Sequence, residues 1–145
     1  IESIGIDSQI APMSWYYTWD EQGNRVAEWQ VVDYAVGWHT NSVQPGEFGN
    51  LVLSGHNTIK GSVFEDLSSL KHGDVITVWG NDQARYEYIV DQVRVVQEAD
   101  ANIQQQQANA KWLTNHGDER LTLISCWPDF SASHRIIVVA YPRQE

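Results

Sequence analysis

Short runs of apolar and β-branched residues, separated by turn signals, make up most of this chain. Residues 15–19 and 26–32 flank an Asp-Glu-Gln-Gly-Asn turn, and residues 75–79 and 86–96 flank a Gly-Asn-Asp turn. Val, Ile, Thr and aromatic side chains pack well on a pleated surface, so such runs favour strands. Each pair of runs therefore predicts a β-hairpin.

Three further apolar runs predict strands that lie deeper in the fold. Residues 51–54 follow a Pro-Gly-Glu-Phe-Gly-Asn turn, and residues 121–126 and 136–140 are nearly continuous apolar runs. A continuous apolar run is typical of a strand that is buried on both faces. Near the start of the chain, Ile4 and Ile6 alternate with polar residues, which indicates a further short strand.

Two segments carry helical signals. Val63, Leu67 and Leu70 recur at helical spacing after Ser62, whose hydroxyl is suited to capping a first turn. Residues 101–115 are rich in Ala and Gln, which favours a second helix. Many short strands with few helices predict a mainly β fold, either a barrel or a sandwich.

The composition limits the class of protein. At 145 residues, of which 42% are apolar, the chain fits one domain spanning 1–145. Its apolar runs are too short to span a bilayer and no signal peptide opens it, so we expect either a cytosolic protein or one whose targeting segment has been removed. The net charge of −10 argues against nucleic acid as a partner, because phosphates require a basic face. With one cysteine there is no internal disulfide and no CxxC pair for zinc or redox chemistry.

That cysteine, Cys126, ends one apolar run, and Arg135 begins the next. If the two runs are adjacent antiparallel strands, both residues lie at the same sheet edge. His56 closely follows the upstream run at 51–54. A thiolate can attack a carbonyl, an imidazole can move the proton, and a guanidinium can stabilise an oxyanion. The three residues are therefore candidates for an acyl-transfer site.

Other interpretations of these residues stay open on pattern alone. A lone cysteine in an apolar run is usually an inert buried residue. Four other histidines compete with His56, and these are His39, His72, His116 and His134. A papain-like hydrolase is disfavoured, because such enzymes place the cysteine near the start of the mature chain with the histidine downstream.

A sugar-binding β module is a second alternative. The chain has seven Trp, and large flat side chains can stack on sugar faces or fill a core. Trp15, Trp19, Trp29 and Trp38 are the candidates for the exposed, stacking role. In such a module Cys126 need not be reactive.

The ordered set of motifs resembles the sortases, cysteine transpeptidases of bacterial cell surfaces. The motifs are Val-Gly-Trp at 36–38, Pro-Gly-Glu-Phe-Gly-Asn at 45–50, Ser-Gly-His-Asn at 54–57, Gly-Ser-Val-Phe at 61–64, Gly-Asp-Val-Ile at 73–76, Thr-Leu-Ile-Ser-Cys at 122–126 and Arg-Ile-Ile-Val at 135–138. The resemblance covers most of the chain, from Ile1 to Pro142, and is greatest to classes D to F, with the subclass open. It implies an eight-stranded closed β-barrel with short helices.

The resemblance also implies the roles of the site residues. Cys126 attacks the carbonyl of a sorting motif, His56 acts as general acid and then base, and Arg135 holds the substrate and stabilises the oxyanion. Ser125 stands where sortases usually have Thr, and Trp127 follows the cysteine. Both are expected to contact substrate. Residues 99–120 fall where sortases build the wall that selects the motif.

Substrates, partners and location are likewise implied by the resemblance. The expected substrate is a secreted protein with a C-terminal motif of the Leu-Pro-x-Thr-Gly kind, and the expected acceptor is an amine of a peptidoglycan cross-bridge or a pilin lysine. The domain is expected on the extracytoplasmic face of the membrane, with an anchor outside this sequence. No cofactor or metal is expected. Water could replace the amine, so hydrolysis by the same thioacyl-enzyme stays open.

Overall fold

The computed structural model describes residues 1–127 and 133–145, and for residues 26–29, 126 and 127 it describes the backbone alone. The strands are β1 (Ile10–Trp19), β2 (Arg25–Gln30), β3 (Val36–His39), β4 (Gly49–Ser54), β5 (Val75–Trp79), β6 (Arg85–Gln97), β7 (Glu119–Trp127) and β8 (His134–Pro142). One α-helix, α1 (Ile103–Lys111), and two 3₁₀ turns, Glu2–Ile4 and Leu67–Ser69, complete the described elements.

The strands follow the order β2-β1-β3-β4-β7-β8-β6-β5. Seven of them form the principal sheet, while β2 pairs only with the second half of β1 among the described residues. Strand β4 runs parallel to β7, and β7 runs antiparallel to β8. These three neighbouring strands carry the predicted site residues at or just beyond their ends.

The fold is mainly β, as predicted, but the prediction of an eight-stranded closed barrel is wrong. Within 1–127 and 133–145, β5 pairs with β6 alone, and the first half of β1 pairs with β3 alone. The N-terminal residues Ile1, Ile4 and Ile6 pack against the core instead of a closing ladder. A cleft of about 1110 Å³ lies between this segment and β5.

The central strands are buried on both faces. Leu51 and Leu53 of β4, Leu121 and Leu123 of β7, and Ile136, Val138 and Ala140 of β8 belong to the core cluster. The intervening positions Val52, Thr122, Ile137 and Val139 are buried as well. The predicted burial of the last strand on both faces is therefore confirmed, because successive residues alternate between faces.

Several predicted elements are confirmed with altered bounds. Both hairpins form, although β2 ends at Gln30, two residues before the predicted end at Val32. The Ala/Gln-rich helix is shorter than predicted and begins after Asn102, whose Oδ1 accepts a hydrogen bond from Gln105 N at 2.8 Å. An asparagine in this position satisfies one of the free N–H groups of the first turn.

Three other predictions are wrong or incomplete. Ser62 has a φ of 49°, in the left-handed region, so it cannot lead into an α-helix, and only the 3₁₀ turn Leu67–Ser69 follows. The segment around Ile4 is a 3₁₀ turn rather than a strand. Strand β3, known from the sequence only as a Val-Gly-Trp motif, was not predicted as a strand.

Candidate active site

The ends of β4 and β7 are joined by backbone and side-chain hydrogen bonds. Ser54 is paired with Ile124 in the parallel ladder, and Gly55 N donates to Ile124 O at 3.2 Å. The Ser125 hydroxyl donates to Gly55 O at 2.9 Å, and Ser125 is only 4% exposed. The residue before His56 is thus bonded to the residue before Cys126, although 70 positions separate Gly55 and Ser125.

The third residue of the predicted site lies on the next strand. Cys126 is directly opposite Arg135 in the antiparallel ladder, and Trp127 is opposite His134. The predicted adjacency of the two strands is therefore confirmed for the backbone. Arg135 is partly buried, and its Nη1 donates to His134 O at 3.3 Å. The side chains of Cys126 and Trp127 lie outside the described residues.

The loop that carries His56 is packed onto the core by Phe64. Phe64 is 2% exposed, and its N–H donates to His56 O at 3.0 Å. A Cβ built on Gly55 would lie 2.7 Å from Phe64 Cδ2, closer than real Cβ atoms approach. Glycine at 55 therefore lets the phenyl ring lie directly beneath the chain that presents the imidazole.

A carboxylate that the sequence reasoning missed contacts this imidazole. Asp33, in the loop between β2 and β3, places Oδ1 3.1 Å from His56 Nε2 and Oδ2 3.3 Å from Lys60 Nζ. The hydrogen bond from Lys60, and more weakly that from His56, hold the pKa of Asp33 below its usual value. The only signal in the sequence is an acidic residue directly after an apolar run.

The four competing histidines have other surroundings. His39 is 5% exposed with Nε2 2.6 Å from Ser54 Oγ, and burial lowers its pKa to about 4. Neutral His39 therefore supports the end of β4 as a hydrogen-bonding group. The rings of His72 and His116 contact backbone carbonyl oxygens, and His134 contacts the neighbouring Ser133 hydroxyl.

The tryptophans proposed for sugar stacking divide into two groups. Trp15 and Trp19 are 49% and 69% exposed on β1, and the Trp15 ring meets Tyr17 edge-on at 5.0 Å between centroids. Trp38 is half-buried, and its Nε1 donates to Val43 O at 3.1 Å. The Trp29 side chain lies outside the described residues. Sugar binding on β1 stays a prediction.

Metal-ligating side chains do not gather in threes anywhere in the described part of the chain. Among the same residues, no helix has the length and apolar character needed to cross a membrane.

Comparison with known proteins agrees with this fold. The sortase domain matches residues 1–143, so the chain belongs to the sortase family. Sortase A of Bacillus anthracis is 37% identical over 93 residues, which are 62% of this chain and 39% of that protein. The chain therefore spans well under two thirds of this relative.

Solved sortase structures share the architecture. Sortase C-1 of Actinomyces oris superposes with a TM-score of 0.64 at 26% identity, over 77% of this chain and 60% of that one. Sortase A of Corynebacterium diphtheriae superposes with a TM-score of 0.65 at 22% identity, over 90% and 60%, and supports the fold alone. These neighbours belong to different sortase classes, and assignment to classes D to F stays a prediction.

Proposed function

We propose that this domain is a cysteine transpeptidase in which Cys126, His56 and Arg135 form the catalytic set. The observation that supports it most is the strand pairing: β7 brings position 126 opposite Arg135, and its parallel pairing with β4 brings the Gly55–His56 turn beside it. Opposed positions of an antiparallel pair share one face of the sheet. Family membership supplies the chemistry that these positions would serve.

In the first step the Cys126 sulfur attacks a peptide carbonyl carbon. The new C–S bond forms as the carbonyl π electrons move to oxygen, and Arg135 stabilises that oxyanion with its fixed positive charge. The oxyanion then collapses, the peptide C–N bond breaks, and protonated His56 gives its proton to the departing amine. The product is a thioacyl-enzyme.

In the second step an amine of the acceptor attacks the thioester. Neutral His56 takes the proton of that amine, the C–S bond breaks, and a new amide bond forms while the thiolate is regenerated. Water in place of the amine would give hydrolysis. The two outcomes share every residue of the site, so the acceptor alone separates them.

Family membership supports a proposal for the substrate and the location. The proposed substrate is a secreted protein with a C-terminal Leu-Pro-x-Thr-Gly-like motif, and the acceptor is a peptidoglycan cross-bridge amine or a pilin lysine. The domain would act on the extracytoplasmic face of the membrane. Ser125 and Trp127 are proposed to contact substrate, although the Ser125 hydroxyl also serves the strand ends through Gly55.

The test is mass spectrometry of the protein incubated with a panel of motif pentapeptides. We expect an acyl adduct on Cys126 that disappears when an amine is added and is absent in Cys126→Ala. His56→Ala and Arg135→Ala should abolish transfer while circular dichroism stays unchanged. His72→Ala and Arg85→Ala are the matched controls, because both residues are exposed and Arg85 begins β6 at the other end of the strand from Val96, which lies opposite Arg135. Full turnover by the His56 or Arg135 variant would refute the assigned roles.

Residues 99–120 are proposed to select the sorting motif. Helix α1 in this segment has no buried residue, so its surface can change without exposing core. Exchanging exposed residues of α1 should alter the ranking of pentapeptides more than the melting temperature. An unchanged ranking with a collapsed melting temperature would contradict this role.

A further inference from the structure

The geometry points to Asp33 as the positioning residue for the histidine of this site. On this inference, which rests on the proposed function, the Nε2–H of His56 donates a hydrogen bond to the Asp33 carboxylate, and Nδ1 is left as the nitrogen that exchanges protons. An ionised carboxylate can only accept hydrogen bonds, so an Nε2 that contacts it must carry hydrogen. The 3.1 Å separation between Nε2 and Oδ1 is within the usual range for such a bond.

The two loops that bring Asp33 to His56 are held together independently of this contact. Tyr34 N donates to Lys60 O at 2.6 Å, and both residues have positive φ, 60° and 52°. A Cβ on Gly61 would lie 2.9 Å from Tyr34 Cα, so glycine permits this close approach. Non-glycine residues in the left-handed region carry a cost that the surrounding structure must offset. The chain therefore holds the carboxylate at the imidazole through its backbone.

Lys60 completes the arrangement. Its ammonium lies 3.3 Å from Asp33 Oδ2, while Oδ1 is directed to the ring. One oxygen thus contacts the imidazole and the other the ammonium, which restricts rotation of the carboxylate. His56 is the more enclosed partner, with 19% of its side chain exposed against 48% for Asp33. Asp33 therefore contacts Nε2 of an imidazole ring that is otherwise largely buried.

This arrangement has a chemical consequence for both steps of the reaction. A ring fixed through Nε2 has one defined tautomer when neutral, with the Nδ1 lone pair ready to accept a proton. When the ring is protonated, the neighbouring carboxylate stabilises the imidazolium that protonates the leaving amine. Losing Asp33 should therefore slow acylation and deacylation without weakening peptide binding.

The kinetic experiment compares Asp33→Ala, Asp33→Glu and Asp82→Ala in the full chain. Asp82 also accepts hydrogen bonds, from Ala84 N and the Tyr86 hydroxyl, but it lies in the exposed turn between β5 and β6. We expect Asp33→Ala to lower kcat ~10- to 100-fold with KM within about twofold, as for loss of support to an acid–base group. Asp33→Glu should recover part of kcat, and Asp82→Ala should retain all of it. A wild-type kcat in Asp33→Ala would overturn the inference.

A spectroscopic readout separates this inference from the proposed function. ¹⁵N-histidine NMR, with His56 assigned from His56→Gln, should show Nε2 protonated and Nδ1 unprotonated in the neutral ring. Asp33→Ala should shift this equilibrium, and Asp33→Glu should restore it. An unchanged tautomer in Asp33→Ala would overturn the inference even if Cys126 forms the acyl adduct. Failure of the adduct with a tautomer that depends on Asp33 would instead refute the proposed function alone.

Discussion

Replacing Asn50 by alanine tests how the segment after α1 is held against the sheet. Asn50 is 3% exposed, and its Nδ2 donates to the carbonyl oxygens of Trp112 and Thr114, both at 3.0 Å. Its Oδ1 accepts a hydrogen bond from the Thr122 hydroxyl at 2.7 Å. The side-chain amide of Asn50 thus joins β4, β7 and the segment that follows α1.

The expected cost follows from the three lost bonds. Each is worth about 1 kcal/mol net, and a buried polar group left without a partner costs about 1–3 kcal/mol more. Thr122 is fully buried, so its hydroxyl would be such a group. We therefore expect Asn50→Ala to lower the free energy of unfolding by about 4–6 kcal/mol, a large share of the ~5–15 kcal/mol of a typical domain.

Urea unfolding of a double-mutant cycle measures this effect. Thr122→Val alone should cost about 1–2 kcal/mol, and the double variant with Asn50→Ala should cost less than the sum, because the hydroxyl no longer lacks a partner. Asn81→Ala, in the exposed β5–β6 turn, should stay within ~0.5 kcal/mol of wild type. A cost for Asn50→Ala below ~1 kcal/mol, or strict additivity, would refute the reasoning.

Three further predictions concern the packing, the titration and the cap described above. Gly55→Ala should lower the free energy of unfolding by about 1–3 kcal/mol, since its Cβ would press on Phe64, and urea unfolding at wild-type stability would contradict this. Burial lowers the pKa of His39 in the folded chain to about 4, from the usual value of 6.5. The contribution of neutral His39 to the free energy of unfolding is then fully present above pH 6.5. It falls by up to about 3 kcal/mol as the pH drops toward 4, because the unfolded chain binds the proton first. Unfolding at several pH values should show a shallower acid loss in His39→Gln, and equal slopes would refute the assignment. Asn102→Ala should cost about 0.5–2 kcal/mol, and hydrogen exchange in the first turn of α1 should accelerate.

The sequence predicted the strands whose pattern is local. The hairpins β1–β2 and β5–β6 and the runs in β4, β7 and β8 follow from apolar residues between turn residues, which act over a few positions. The closing of the sheet was mispredicted, because it depends on whether β1 and β5 meet. Ile1, Ile4 and Ile6 pack against the core beside this gap, and no local pattern in the sequence reports such a distant contact.

The candidate site divides in the same way. The adjacency of Cys126 and Arg135 was predictable, because they end and begin consecutive apolar runs, and the ladder confirms it. The Asp33–His56 contact was not, since it depends on left-handed residues in two loops far apart in sequence. The helix predicted after Ser62 was wrong for a related reason. The apolar residues there lie in a series of turns in which Phe64 packs beneath Gly55, a contact between separate parts of the fold.

The parallel pairing of β4 with β7 has a consequence for when chemistry can begin. Gly55 and Ser125 are 70 positions apart, and contacts so distant in sequence form late because closing a long loop is entropically costly. A chain still being synthesised would hold His56 and Cys126 in separate places. On the proposed function, the reaction therefore waits until β4 and β7 have paired.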